Sequence, residues 1–200
     1  KCNRKLTLKM YKLTIAHGTY ENLEKFKKTF LSIIPQLKIH KNVQLLILDD
    51  SISNQTQDFV SEFKLKNVKY VKGTKKSIDH AFIWLMANAE AEYVWWFGDD
   101  VVKKGTISYL LNIIEKNNPD FIFVNSIGEK KSLNYGKNLK MTGPEVIEKI
   151  GDLMLFLSSL LWKKKMIYPF LYKHKQKFGI AIGFAYPQME AIVRGGKFFY

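Results

Sequence analysis

The chain has 200 residues, 46% of them hydrophobic and 14% aromatic; that composition excludes disorder and supports one domain that buries roughly 70% of its unfolded surface. Thirty-two basic against 18 acidic residues give a formal charge of +14, which asks for an anionic partner such as nucleic acid, a phosphate-bearing small molecule or an anionic membrane leaflet. The single cysteine, Cys2, excludes an intrachain disulfide and suits a reducing, cytoplasmic setting.

In chain order, KLTIA (12–16), VQLLILD (43–49), VKYV (68–71), YVWWF (93–97) and FIFVN (121–125) read as strands. They are runs rather than strict alternations, the pattern of strands covered on both faces. Helical stripes separate them. Leu23, Phe26, Phe30, Ile33 and Ile34 form the first, and Phe59, Val60 and Phe63 a shorter second. The third, Ile78, Ala81, Phe82, Leu85, Met86 and Ala89, keeps the i, i+3, i+4, i+7 spacing of a helix face. The fourth, Ile107, Leu110, Leu111 and Ile114, stops at Asn117-Asn118-Pro119. This βαβαβαβαβ order predicts an α/β domain with a Rossmann-like, mostly parallel central sheet flanked by helices.

Past Ser126 the rhythm breaks. Residues 127–140 are polar and glycine-containing and read as a loop, after which Thr142 is placed as an N-cap with Glu145 completing a capping box. The chain therefore divides, within one domain of residues 1–200, into a 12–126 half and a 127–200 half. In the second half, Lys163, Lys164 and Lys165, then Lys173, His174, Lys175 and Lys177, flank the aromatic segment MIYPFLY. Such lysines are either solvated faces or a surface for anionic lipid. No run reaches the roughly 18 apolar residues of a membrane span, and the longest candidate, Leu153 to Trp162, is far shorter. The expectation is a cytoplasmic protein, peripheral at the inner face of a membrane. The ending GGKFFY reads as a truncated C-terminus.

Ligands of an open α/β sheet bind beyond the carboxyl ends of its strands. That rule puts His17, Gly18, Thr19 and Tyr20 on one rim with Asp49, Asp50 and Ser51, with Gly98, Asp99 and Asp100, and with Asn125. Two acidic pairs on one rim repel each other unless a cation or a hydrogen-bonding ligand joins them. A hard divalent metal, Mn²⁺ or Mg²⁺, prefers carboxylate oxygen and leaves positions open for phosphate. Isolated Asp pairs in loops are more often turn formers or N-caps; it is the shared rim that favours the site.

These residues resemble glycosyltransferase family 2, with the GT-A nucleotide-diphospho-sugar fold. KLTIAHGTYEN is similar to the family's first strand and turn, LLILDDSISNQT to its second acidic motif, and EYVWWFGDDVV to the strand carrying the D-x-D-type metal motif. SIDHAFIWLMANAEAEYVWWFGDD, PDFIFVN and FLSSLLWKK resemble the abequosyltransferase-like subgroup. The resemblance implies that Asp49 binds the nucleotide base, with Thr19 and Tyr20 lining the pocket and Asp79 near the nucleotide. It implies Asp99 at the ribose or metal and Asp100 as the principal metal ligand. The activity implied is an inverting, metal-assisted transfer from a nucleotide-diphosphate sugar to a glycan or lipid-linked acceptor, in surface polysaccharide or lipopolysaccharide synthesis.

The pattern is departed from in three places. Val101 stands where the subgroup has a third carboxylate, and His17-Gly18 replaces an apolar residue and a proline. The usual position of the catalytic base falls on Tyr186, so Glu190, one helical turn later, is the nominee beside it. Two other classes compete: a degenerate protein that binds nucleotide sugar without turnover, and a basic nucleic-acid-binding α/β domain. The acidic rim and the core placement of the aromatics argue against nucleic acid.

Overall fold

The computed structural model describes residues 11–74, 77–124, 143–151, 155–179 and 182–199. Cys2, Asn125, the 127–140 loop and the Thr142 cap lie outside the described residues. The first half reads β1 (Tyr11–Thr19), α1 (Leu23–Ile39), β2 (Val43–Asp49), α2 (Gln55–Ser61), β3 (Val68–Lys72), α3 (Ile78–Asn88), β4 (Ala91–Phe97), α4 (Thr106–Asn117) and β5 (Phe121–Phe123). Every strand and helix expected there is present, with β1 longer than its apolar run at both ends. In the second half follow α5 (Gly143–Ile150), a 3-10 turn (Leu157–Ser159), β6 (Leu160–Lys163), α6 (Lys164–Ile167), α7 (Ala185–Val193) and β7 (Phe198–Phe199).

The seven strands lie in the order β3-β2-β1-β4-β6-β5-β7. β3, β2, β1 and β4 are mutually parallel, and β6 then inserts antiparallel between β4 and β5. The sequence reading did not anticipate this inserted strand. Its residues Leu160, Leu161 and Trp162 are at most 1% exposed, so a four-residue run is covered on both faces and carries no alternation to mark it as a strand.

Strand alternation divides the core into two layers. Leu13, Ile15, Leu45, Ile47, Tyr93, Trp95 and Phe97 pack against Phe26, Phe30 and Ile33 of α1 and Leu110 and Ile114 of α4. Ala16, Leu46, Val94 and Trp96 point the other way, onto Phe82, Leu85 and Met86 of α3 and Ala191 and Ile192 of α7. Burying one such side chain contributes about 1.5–3 kcal/mol.

Helix α1 runs through Pro35, which removes a hydrogen bond to the carbonyl of Leu31. Leu31 itself is half exposed. The next residue, Gln36, is buried and spans two elements: its Oε1 accepts from the Ile107 N–H at 3.2 Å and its Nε2 donates to the Lys103 carbonyl at 3.2 Å. Gln36 thereby caps the start of α4, whose own N-cap is Gly105 with φ +87° and no side chain to offer. Ser32 Oγ accepts from the Val102 N–H at 2.9 Å. The stretch after the aspartate pair is thus tied down from α1.

Candidate functional site

Parallel register brings the carboxyl ends of β1, β2 and β4 level, with Thr19 opposite Asp49 and His17 opposite Phe97. At this edge opens a cavity of about 260 Å³, walled by Gly18, Thr19, Tyr20 and Asp50, by Ser77, Ile78 and Ala81 at the start of α3, and by Trp96, Phe97, Gly98 and Leu157. Thr19 and Tyr20 both line this cavity. The Thr19 hydroxyl is buried with no hydrogen-bond partner among the described residues.

Within the second acidic motif the two aspartates have different surroundings. Asp49 is fully buried; its carboxylate accepts from the Ser51 N–H at 2.9 Å and the Tyr70 hydroxyl at 2.6 Å, with Lys72 Nζ at 3.5 Å. Burial and the Asp49 bond push the Tyr70 hydroxyl's pKa upward, so it stays a donor. Asp50 is the residue on the cavity wall. Gly73 makes that possible: a Cβ there would lie 1.8 Å from Asp50 Oδ1. The adjoining turn is held by the same motif, because Ser51 Oγ accepts from the Glu21 N–H at 2.8 Å while Glu21 adopts φ +48°. A left-handed non-glycine residue costs about 1–2 kcal/mol and persists only where its surroundings fix it.

Beside the cavity, Asp99 and Asp100 are exposed. Asp100 Oδ2 accepts a hydrogen bond from Ser158 Oγ, and the same oxygen of Ser158 accepts from the Gly98 N–H at 2.9 Å. His17 lies beneath Asp99, 1% exposed, with Nε2 3.9 Å from Asp99 Oδ1. Burial lowers the histidine's pKa against the opposing pull of Asp99. Its Nδ1 sits 3.1 Å from the Phe97 carbonyl. A carbonyl only accepts, so Nδ1 carries the hydrogen and Nε2 presents a lone pair. Val101, at the position of the missing third carboxylate, is 65% exposed.

No group of three or more His, Cys, Asp or Glu forms a ready metal cage among the described residues. Two adjacent exposed carboxylates nevertheless fit a hard divalent cation that completes its shell with water and phosphate oxygen. One Asp100 oxygen lies outside its serine bond.

Asp79, Tyr186 and Glu190 are not on the cavity wall, although Asp79 stands between two residues that are, Ile78 and Ala81. Asp79 is fully buried, and its two oxygens accept from the Gly179 and Phe184 N–H groups at 2.7 and 2.9 Å. It straps the segment before α7 to the start of α3. Glu190 is absent from the cavity wall; it bonds Lys173, His174 Nε2 at 2.7 Å and Arg194 at 3.5 Å. Hydrogen bonds from Lys173, His174 and Arg194, with the charge of Lys173, pull it from an ordinary 4.5 down to about 2. Tyr186 packs on His174 and Lys177 of that same surface.

The first lysine cluster is largely internal. Lys163 is 6% exposed and bonds Asn118, with Glu92 at 3.5 Å. Lys164 donates to the carbonyls of Ala87 and Ala89 at the end of α3, at 2.9 and 2.7 Å. Of the three, Lys165 projects into solvent.

The mostly parallel sheet with an acidic, cavity-bearing carboxyl edge places the molecule in the GT-A class. The glycosyl transferase family 2 model matches residues 15–186, and the chain belongs to that family. A curated relative, the poly(ribitol-phosphate) beta-N-acetylglucosaminyltransferase TarP of Staphylococcus aureus (strain N315), is 27% identical over 175 residues, which are 84% of this chain and 53% of TarP. Among solved structures, S. aureus TarS 1-349 in complex with UDP superimposes with a TM-score of 0.75 at 15% identity, over 94% of this chain and 57% of that one. Mannosyltransferase PcManGT from Pyrobaculum calidifontis, in complex with GDP-Man and Mn²⁺, gives 0.57 at 12% identity over 80% and 47%. The chain thus spans about half the length of these relatives.

Proposed function

We propose that the chain is the donor-binding portion of an inverting glycosyltransferase that takes a nucleotide-diphosphate sugar, with UDP as the nucleotide, and passes the sugar to an anionic acceptor. The observation that carries this reading is the convergence of Thr19, Tyr20, Asp50 and Gly98 on one cavity, with Asp99 and Asp100 at its lip, in a family 2 chain. The UDP-bound TarS structure and the name of TarP support the nucleotide. A poly(ribitol-phosphate) acceptor in TarP, and the +14 charge here, support a phosphate-bearing polymer or lipid-linked glycan as acceptor. The family resemblance of SIDHAF and FLSSLLWKK to the abequosyltransferase-like subgroup belongs to this reading, as does action in surface polysaccharide synthesis.

In this scheme the base and ribose occupy the cavity, where Tyr20 and the Asp50 carboxylate meet them. Asp49 stands behind that wall and sets it through Ser51 and Tyr70. Asp99 and Asp100 would hold the divalent metal, which supplies positive charge against the departing diphosphate. Transfer joins the acceptor oxygen to the anomeric carbon as the bond to diphosphate breaks on the opposite face, and the hydroxyl proton passes to a base. Glu190 is ill suited to that step: at a pKa of about 2 it takes a proton poorly near neutrality, and its role is to hold Lys173, His174 and Arg194 together. The same observation favours a second reading, a chain that binds donor without turnover.

The test is a thermal-shift panel of UDP, GDP, CDP and dTDP with and without Mn²⁺, followed by transfer assays. A nucleotide at a hundred times its dissociation constant adds about 2.7 kcal/mol of stability. UDP is expected to stabilise most, and Asp100→Asn to remove the increment due to Mn²⁺. Failure of every nucleotide to stabilise the chain overturns the proposal; stabilisation without hydrolysis or transfer selects the second reading.

A further inference from the structure

We infer that Ser158 is a positioning residue for Asp100, fixing which carboxylate oxygen is free to meet a divalent cation; the inference rests on the rim reading above. Ser158 precedes β6 and is held at both ends. Its carbonyl accepts from Trp95 Nε1 at 2.6 Å, and its hydroxyl oxygen accepts from the Gly98 N–H at 2.9 Å. A hydroxyl has one hydrogen. With the Gly98 amide directed at its lone pair, that hydrogen is sent to Asp100 Oδ2.

Two consequences follow for the carboxylate. One oxygen is occupied by a charge-assisted hydrogen bond, which selects a single rotamer for an otherwise exposed side chain. The other oxygen is left as the donor, making Asp100 a one-oxygen ligand. Groups that orient metal ligands in this way typically shift metal affinity by about 10–100-fold when removed.

The turn carrying Ser158 also touches the rest of the rim. Leu157 lines the cavity, and the Ser159 carbonyl accepts from the Val124 N–H at 2.8 Å, joining the turn to the end of β5. The orientation of Asp100 is therefore set by the second half of the chain.

The experiment measures Mn²⁺ binding by electron paramagnetic resonance, with UDP present, for wild type, Ser158→Ala, Ser158→Thr and Asp100→Asn. UDP binding in EDTA and melting without metal are measured in parallel. Ser158→Ala is expected to weaken Mn²⁺ binding about 10–100-fold, to keep its UDP affinity in EDTA, and to melt within about 10 °C of wild type, as loss of the two hydroxyl hydrogen bonds, to Asp100 and from Gly98, predicts. Ser158→Thr restores Mn²⁺ affinity. Should Ser158→Ala not fold, Ser158→Cys, which keeps the volume but is a weaker donor, takes its place with the same expectation at smaller size.

Wild-type Mn²⁺ affinity in Ser158→Ala, alongside its loss in Asp100→Asn, overturns this inference and leaves the donor site standing. Equal loss of UDP affinity in EDTA also overturns it, since Ser158 then shapes the cavity. A wild-type chain that binds UDP but no Mn²⁺ overturns the metal role of Asp100 and this inference together.

Discussion

Asp79 and Glu190 are both carboxylates drawn into functional expectations by their positions in sequence, and the two are stabilised by opposite means. Asp79 is fully buried and accepts from two backbone amides; Glu190 sits in a basic group with 17% of its side chain exposed. Asp79→Ala leaves the Gly179 and Phe184 amides unsatisfied at about 1–3 kcal/mol each, while Asp79→Asn keeps one acceptor and loses less; urea denaturation measures the difference. The segment packs closely here: a Cβ on Gly183 would lie 2.4 Å from the Lys177 carbonyl and 3.0 Å from the Asp79 carboxylate. For Glu190 the folded pKa lies below the unfolded one, so its stabilisation is complete above about pH 4.5 and disappears as pH falls toward about 2. Glu190→Gln should therefore be less stable than wild type at neutral pH and converge with it at the acid end. Parallel melting curves across that range decide it, and parallel offset at every pH would assign the effect to packing instead.

At the level of elements, α1, α3, α4 and the strands β1 to β4 were legible because each buries a continuous stripe or run, and burial at fixed period is what sequence displays. β6 was hidden by its brevity, and its antiparallel insertion depends on partners distant in sequence: Tyr93 to Trp96 on one side and Phe121 to Phe123 on the other. The acid pairs were legible as a rim, since strand ends share an edge. Which member of the Asp49–Asp50 pair lines the cavity was not, because that depends on side-chain directions set by Tyr70 and Gly73. The first lysine cluster illustrates the same limit: Lys163 and Lys164 are spent on Asn118 and the carbonyl end of α3, which no charge count reveals. Gln36 is a comparable hidden tie. Gln36→Ala removes the acceptor for the Ile107 amide and should cost about 1–3 kcal/mol. Hydrogen exchange would show the loss at the start of α4 and the loop before it, leaving β2 and β3 unchanged.

Across the whole molecule the charge is uneven in use. Glu92 is shared by Lys12 and Lys163, Glu90 pairs with Lys69, and Glu190 with Lys173, His174 and Arg194. Acidic groups are thus consumed in pairing, and the surplus of fourteen positive charges remains for solution and for ligands. Two kinds of anion then behave differently with salt. A polymer bridging many lysines releases counterions in proportion to its contacts, so its affinity falls steeply as salt rises. A nucleotide in the cavity meets few cations and exchanges water for directed hydrogen bonds, which salt screens little. Titrating fluorescent polyphosphate and UDP against the protein at about 50 and 200 mM salt should weaken the polymer at least about tenfold while UDP changes by a few-fold at most. Equal salt dependence for both would mean that the cavity and the basic surface act as one diffuse anion site, and the assignment of donor to the rim and acceptor charge to the outer lysines would fail together.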